Sequence, residues 1–251
     1  MKKRVRRAWL VFLFYLSWAL FGAAGLLLNL ACLVLTLFPR RAAFEPAVRG
    51  AIRWILAGWL AWLRASGITK VTWIGFDAPL PRGSVYVANH PSIVDATLIL
   101  ARLPDAVCIF KPALMRNPAI GPAAAMAGYV RGDTGLDIIK AAGAKVAAGQ
   151  SMLVFPEGTR TAAGTMLGKM KPGFALIAAQ AKAPVSLMII RASPELGVRG
   201  RPLWPAPAVL PCWVEITLDR TWDYEPGRSA KELTRIVELR ICEVLSSKAT
   251  G

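Results

Sequence analysis

The feature that most constrains this chain is an uncharged run of 31 residues, Ala8–Phe38, near its amino terminus. Five of the first seven residues are basic, and Arg40 and Arg41 follow the run after Pro39. The run is too long for a signal peptide, and no small-residue cleavage site follows promptly. One helix of this length would reach about 46 Å, well beyond the ~30 Å hydrocarbon core of a bilayer. Two complete crossings would need about 40 residues.

Basic residues at both ends of the run favour a cytoplasmic location for both ends. Gly22 and Gly25 lie near its middle, where a chain can turn. We therefore predict a helical hairpin that enters and leaves on the cytoplasmic side, with a single tilted helix as the alternative. Next, Val48–Leu63 carries apolar residues at helical spacing. It predicts an amphipathic helix that either lies in the membrane interface or packs on the domain. Residues 1–67 are thus predicted to anchor the chain.

The composition supports a membrane surface as the partner of this basic chain. Hydrophobic residues make up 55% of it, with nine tryptophans and a formal net charge of +16. Basic charge beside apolar helices suits anionic lipid headgroups. No zinc-finger spacing or RNA-binding aromatic signature is present, so we expect no nucleic-acid partner. One histidine and four scattered cysteines predict no metal site, and the cysteines are expected to be core residues.

Residues 68–251 are predicted to form an α/β domain with a largely parallel sheet flanked by helices, because short β-rich runs alternate with alanine-rich helical ones. A terminal amphipathic helix over Ser229–Lys248 is expected to pack on the core. The predicted strands are Val71–Ile74, Val85–Ala88, Val107–Phe110, Tyr129–Arg131, Met152–Phe155, Pro184–Ile190 and Trp213–Leu218. The predicted helices between them are Pro91–Leu103, Pro112–Ala127, Gly135–Ala148 and Gly173–Ala181.

The single histidine, His90, lies where sites gather in α/β sheets, just after a predicted strand and just before a predicted helix. Asp95 follows it by five residues, which do not share a face of a regular helix. At a helix entry the first turn is not yet regular, so Asp95 can still reach back to the imidazole. A carboxylate on one ring nitrogen would fix the tautomer and leave the other nitrogen as a base.

A second loop has the same placement, because the run Met152–Phe155 breaks at Pro156 and then exposes Glu157, Gly158, Thr159 and Arg160. Gly158 allows close backbone approach, and Arg160 offers a planar fork of donors suited to phosphate. Further cations occupy similar positions, which indicates an anionic ligand; they are Lys111, Arg131 and Lys171. Glu157 could instead brace the loop, Arg131 could form a salt bridge, and the two lysines could be solvated charges.

These segments resemble the glycerolipid acyltransferases. "NHPSIVD" looks like their histidine-x4-aspartate motif, "GYVRGD" like their second block, "FPEGTRT" like their Pro-Glu-Gly-Thr-Arg signature, and "KAPVSLMII" like their fourth block. The resemblance covers about Val71 to Arg191, and its order and spacing are similar to those of 1-acylglycerol-3-phosphate acyltransferases. Asp133, two residues after Arg131 in the second block, is a departure, because a carboxylate beside a phosphate site would be repulsive. Relatives from other lipid pathways also share features of this region.

The resemblance implies that His90 is the general base, that Asp95 is its partner, and that the acceptor phosphate is bound by a set of seven residues. The acyl donor would be acyl-CoA or acyl carrier protein, without a further cofactor or metal. The acceptor would be a lysophospholipid, with 1-acylglycerol-3-phosphate favoured, at the cytoplasmic face of the inner membrane. A lyso-ornithine lipid or other aminolipid or glycolipid acceptor, and a non-enzymatic lipid-binding protein, remain alternatives. The predicted phosphate-site residues are Glu157, Gly158, Thr159, Arg160, Arg131, Lys111 and Lys171.

Overall fold

The structure is a computed structural model that describes residues 2–39, 41–110, 112–117, 120–132, 135–193, 196 and 206–247. Its helices are α1 (Lys2–Leu35), α2 (Glu45–Ala65), α3 (Asp95–Arg102), α4 (Pro112–Met115), α5 (Gly121–Met126), α6 (Leu136–Ala147), α7 (Gly173–Ala181) and α8 (Ala230–Ser247). Its strands are β1 (Thr69–Ile74), β2 (Val85–Ala88), β3 (Ala106–Phe110), β4 (Val130–Arg131), β5 (Ser151–Val154), β6 (Val185–Ala192) and β7 (Cys212–Trp222).

The strands form one sheet in the order β1-β7-β6-β2-β5-β3-β4. All neighbouring pairs are parallel except β6 with β7, which is antiparallel. Every residue of β2 is buried, as expected for a central strand that is covered on both faces. Because β5 pairs directly with β2, the carboxyl ends of these two strands meet at one edge. The predicted α/β class with a largely parallel sheet is confirmed, and this edge carries both motif loops.

The predicted hairpin at the amino terminus is wrong, because α1 is one continuous helix of 34 residues through Gly22 and Gly25. A glycine in a helix costs only about 1 kcal/mol relative to alanine, which tertiary packing readily outweighs. Here the packing lies on both sides of the glycine pair. The Trp59 indole N–H donates to the Ser17 hydroxyl at 2.9 Å, and Asn29 Oδ1 accepts from the backbone N–H of Ala123 at 2.9 Å. Contacts with α2 and α5 therefore keep the helix unbroken.

The second predicted helix extends beyond its expected bounds and packs on the domain. Its inward side buries Leu56, Trp59 and Leu63, as the helical spacing predicts. Arg49 is also buried, and its guanidinium donates to Asp105 Oδ1 at 2.5 Å. It also donates to Glu45 and to the carbonyl of Ala127, so α2 is tied to several parts of the domain. Trp54, in contrast, points outward and is 79% exposed.

Two predicted helices are shorter than the sequence pattern indicated. The helix expected from Pro91 begins only at Asp95, because residues 91–94 form an irregular turn whose polar groups serve the site described below. The helix expected over Pro112–Ala127 is interrupted between α4 and α5. A proline at position 118 disfavours helical geometry for the preceding Asn117, which accounts for a break there. The remaining helices and strands lie at or within a few residues of their predicted bounds.

Candidate active site

The imidazole of His90 and the carboxylate of Asp95 are in direct contact. His90 Nδ1 lies 2.9 Å from Asp95 Oδ2, and the His90 side chain is 18% exposed whereas that of Asp95 is fully buried. Residues 91–94 curl before α3 begins, and this curl brings the two side chains together despite their spacing of five. With Nδ1 turned to the carboxylate, Nε2 is the ring nitrogen left for another partner. This is the arrangement of a general base with an orienting acid.

Asp95 is held by more than the imidazole. The backbone N–H of Ser92 donates to Asp95 Oδ2 at 2.7 Å, and the Ser92 hydroxyl donates to Oδ1. Burial raises the pKa of the Asp95 carboxyl, and the hydrogen bonds from His90 and Ser92 oppose that rise. A carboxylate removed from water interacts strongly with a nearby positive charge. Asp95 is therefore placed to stabilise the imidazolium that a proton transfer to His90 would create.

Glu157 connects the two motif loops from within. Only 6% of it is exposed, and Oε1 accepts the backbone N–H of His90 at 2.8 Å. Oε2 accepts the Thr161 hydroxyl at 2.8 Å and the backbone N–H of Gly168 at 2.7 Å. The backbone N–H of Thr161 in turn donates to the His90 carbonyl at 2.8 Å. Both carboxylate oxygens thus accept protein donors, which is the geometry of the loop-bracing alternative rather than of direct ligand contact.

The outward part of the second loop carries the other predicted residues. Gly158 adopts a left-handed φ of +69°, and its N–H donates to the carbonyl of Phe155 at 3.0 Å, closing a tight turn. Thr159 is exposed and Arg160 is half-buried on the same loop. Lys171 joins them, because its ammonium lies 3.3 Å from where a Cβ at Gly158 would stand. A side chain there would be strained and would press on Lys171, so glycine suits both the turn and the neighbouring cation.

The structure does not bring every predicted cation to this point. Arg131 is exposed at the end of β4, the edge strand beyond β5 and β3. Neighbouring strands are about 4.8 Å apart, so three such steps place its backbone roughly 14 Å from that of the His90 strand. Lys111 lies outside the described residues.

Within the described part of the chain, no group of three or more His, Cys, Asp or Glu side chains is arranged to hold a metal ion.

Sequence reasoning missed three residues that hold the segments around His90 and Asp95 in place. Ser92 supports Asp95, Thr161 supports both Glu157 and His90, and Asn89 pairs with the backbone of Ile190. The last pairing has two bonds: Asn89 Nδ2 donates to the Ile190 carbonyl at 2.8 Å, and Oδ1 accepts the Ile190 N–H at 2.7 Å. Ser92 and Thr161 lie inside the recognised motifs. A hydroxyl residue three or four positions from a motif carboxylate was the available signal for such a contact. The partner of Asn89 is 101 residues away, and no local pattern indicates it.

Comparison with known proteins places this site in a family. The Acyltransferase family model matches residues 76–191, which include the His90 and Glu157 loops. A coconut (Cocos nucifera) protein named 1-acyl-sn-glycerol-3-phosphate acyltransferase is 34% identical over 114 residues, which is 43% of this chain. That match covers 37% of the coconut protein's length. The crystal structure of the 1-acyl-sn-glycerophosphate acyltransferase PlsC from Thermotoga maritima has a similar fold, with a TM-score of 0.71 and 22% identity. This similarity covers 100% of this chain and 99% of that one.

The sheet and the histidine–aspartate pair at its edge define the class as an acyltransferase fold. Residues 76–191 match the Acyltransferase family model, and the similar proteins are glycerophosphate acyltransferases by name.

Proposed function

We propose that this protein transfers an acyl group from a thioester donor to the hydroxyl of a lysophospholipid, with 1-acylglycerol-3-phosphate as the favoured acceptor. The observation that carries the proposal is the 2.9 Å contact between His90 Nδ1 and the buried Asp95 carboxylate. The His90 side chain itself stays partly open to solvent. The name of the coconut relative supports the acceptor, although the match spans about a third of that protein's length.

In the proposed reaction, Nε2 of His90 takes the proton of the acceptor hydroxyl as its oxygen attacks the thioester carbonyl. Asp95 holds the ring in the tautomer that leaves Nε2 unprotonated and stabilises the imidazolium that follows. The proton then passes to the departing thiolate, and the products are the acylated lipid and a free thiol. The protein supplies the base and the positioning, and both come from its own side chains.

The acceptor phosphate is proposed to bind at the outward part of the second loop. Arg160 and Lys171 flank the tight turn at Gly158, directly beyond the carboxylate that braces His90. An arginine fork binds phosphate oxygens in pairs, which fixes both the distance and the orientation of the ligand. Holding the phosphate there would present a nearby hydroxyl to His90. Arg131, at the edge strand, is proposed to contact a more distant part of the bound substrates, and Lys111 keeps its role from the resemblance.

An acceptor panel tests this proposal against its alternatives. Purified protein would be incubated with labelled acyl-CoA or acyl carrier protein and with 1-acylglycerol-3-phosphate, other lysophospholipids or a lyso-ornithine lipid. We expect phosphate-bearing acceptors to be used fastest. Preferential use of an acceptor without phosphate would move the proposal to an aminolipid or glycolipid pathway. Lipid binding without turnover on any donor and acceptor pair would instead favour a non-enzymatic lipid-binding protein.

Membrane attachment is the second part of the proposal, and α1 supports it. By length and composition, α1 is the one described helix that could cross a membrane. Its buried residues lie between Leu10 and Cys32, a span of about 33 Å of helix, and it packs on α2 through Ser17 and on α5 through Asn29. A helix held in that way cannot cross a ~30 Å hydrocarbon core without taking the domain with it. We therefore propose that α1 lies along the cytoplasmic surface of the inner membrane, with its outward face in the lipid.

Two variants of exposed leucines test this attachment. Leu27 on α1 is 69% exposed and Leu239 on α8 is 60% exposed, so a glutamate at either disturbs little internal packing. We expect Leu27→Glu to weaken flotation with vesicles that contain anionic lipid, and Leu239→Glu to float as the unmodified protein does. Equal flotation of both variants would argue against α1 as the attachment surface. Protease access to a tag at the amino terminus, in inside-out vesicles, would establish the side of the membrane.

A further inference from the structure

Besides the carboxylate of Asp95, an aromatic side chain contacts the imidazole ring of His90. Phe155 lies parallel to it, with ring centroids 4.1 Å apart and an angle of 20° between the planes. Resting on the function proposed above, we propose that Phe155 is a positioning residue, whose ring covers one face of the imidazole and holds Nε2 toward the acceptor hydroxyl.

Phe155 is itself well fixed, as a positioning role requires. It follows the last residue of β5, and its carbonyl closes the turn by accepting the N–H of Gly158 at 3.0 Å. Pro156 comes next, is buried, and accepts the backbone N–H of Lys171 at 3.0 Å. Proline fixes its own φ and restricts the residue before it, so the Phe155 backbone has few alternatives. The aromatic face is therefore presented by a rigid part of the second loop.

The stacking adds a constraint that the hydrogen bond to Asp95 does not give. A single hydrogen bond at Nδ1 fixes one edge of the ring but allows the plane to tilt about that bond. The Phe155 face blocks tilting toward one side, so it narrows the range of orientations open to the ring plane and hence to Nε2. When His90 accepts a proton, the same aromatic face lies against a cation, an interaction that is attractive. The role thus favours both the ground-state orientation and the protonated intermediate.

The charged groups around this ring are those of the two loops. Asp95 meets Nδ1, and Glu157 binds the backbone N–H of His90. Arg160 and Lys171 lie on the outward side of the loop that carries Phe155. Replacing Phe155 by another uncharged residue leaves all of these charges in place. Substitution therefore tests the aromatic face alone.

Nuclear magnetic resonance can observe the stacking directly, because this chain has one histidine. Untagged protein with ¹³C-labelled histidine would be compared with Phe155→Leu, which keeps an apolar side chain and removes the ring. A proton held over an aromatic face is shifted upfield, so we expect the imidazole resonances to move downfield in the variant. Phe76→Leu is the matched control, because Phe76 lies just after β1 and contacts the ring of Trp73 edge to face, with centroids 4.9 Å apart. It should leave the histidine resonances unchanged.

Kinetics then test the role. We expect Phe155→Leu to lower kcat about 3- to 10-fold with little change in the acceptor KM, because the base is misaligned while the phosphate site is intact. Phe155→Tyr, which keeps the aromatic face, should recover most of the lost kcat. Unchanged histidine resonances in Phe155→Leu, or a Tyr variant no faster than the Leu variant, would overturn the positioning role. Lack of turnover by the unmodified protein would contradict the proposed function, and the resonance comparison would still decide whether Phe155 holds the ring.

Discussion

The carboxylates and the cations of this site face opposite ways. Asp95 and Glu157 are buried, and each accepts three or more protein hydrogen bonds, whereas Lys171 is exposed and Arg160 is half-buried. Both arrangements occur in one short loop, since Glu157 and Arg160 are three residues apart. The turn at Gly158, with its left-handed backbone, separates the inward residue from the outward ones.

This difference separates two tasks. A buried carboxylate is costly unless donors surround it, and once surrounded it fixes the groups that donate to it. The inward residues therefore set the geometry of His90. A cation at the rim keeps its hydration and can exchange water for an anionic ligand, so the outward residues are suited to recognition. Inward substitutions should accordingly affect kcat or stability, and outward ones should affect the use of the acceptor.

The largest effect is expected at His90, because its Nε2 is the proposed base. General-base catalysis typically contributes ~10²–10⁴-fold, so we expect His90→Ala to lose at least ~10²-fold in kcat. The fold should survive, because a partly open side chain is removed, and circular dichroism checks this. Asp95→Asn should lose less if the carboxylate only orients the ring, and a comparable amount if the wrong tautomer forms. Turnover by folded His90→Ala at the unmodified rate would mean that the histidine has a structural role.

The fold illustrates what local patterns can and cannot predict. Alternating β-rich and alanine-rich runs were enough to predict the α/β class and most strands, because the composition of each run indicates by itself whether it forms a buried strand or a helix. The hairpin in α1 was predicted from two glycines and the flanking charges, and the packing of Ser17 and Asn29 on the domain outweighed it. The burial of Arg49 was missed for the same reason, since its partner Asp105 lies 56 residues away.

The site was predictable to the extent that the motifs are local. His90, Asp95 and Arg160 were identified from short spacings and strand ends. Which strands adjoin depends on long-range pairing: β5 lies between β2 and β3, so the two motif loops are neighbours although 67 residues separate His90 from Glu157. The inward orientation of Glu157 follows from donors on Thr161 and Gly168, and no sequence pattern weighs these against a ligand.

Of the two outward cations, Arg160 and Lys171, Arg160 is expected to have the larger effect on acceptor use. Loss of a bidentate charge-assisted contact from a partly buried site costs about 2–4 kcal/mol, or roughly 30- to 1000-fold in kcat/KM for phosphate-bearing acceptors. Arg160→Ala should therefore weaken acceptor use far more than donor use, and Arg160→Lys should recover little because an ammonium lacks the fork. Exposed Arg220 on β7 provides a control of equal charge. If Arg160→Ala and Arg220→Ala behave alike, the phosphate is bound elsewhere.

Glu157 decides between bracing and ligand contact. In Glu157→Gln one oxygen becomes an NH₂ group that faces protein donors, and each buried hydrogen bond lost in this way costs about 1–3 kcal/mol. We expect a lower melting temperature and a lower kcat, with the acceptor KM nearly unchanged, whereas exposed Glu232→Gln should change neither. A large rise in acceptor KM at unchanged stability would instead indicate that Glu157 contacts the ligand.

The smallest effect, at Lys171, tests whether the outward cations act by position or by total charge. Its backbone is held by the Pro156 carbonyl, and its ammonium lies beside Gly158, but the side chain is exposed and its charge is screened. Lys171→Ala should therefore lower kcat/KM for a phosphate-bearing acceptor only about 2- to 5-fold, as expected for an exposed charge contact of about 0.5–1 kcal/mol. Lys169 is also exposed and lies two residues before Lys171, so Lys169→Ala removes an equal charge from a neighbouring position. If position matters, only Lys171→Ala reduces acceptor use, and the reduction shrinks as salt is raised. Equal losses from both variants would mean that the basic surface attracts the substrate as a whole, and that the phosphate contact rests on Arg160 without help from Lys171.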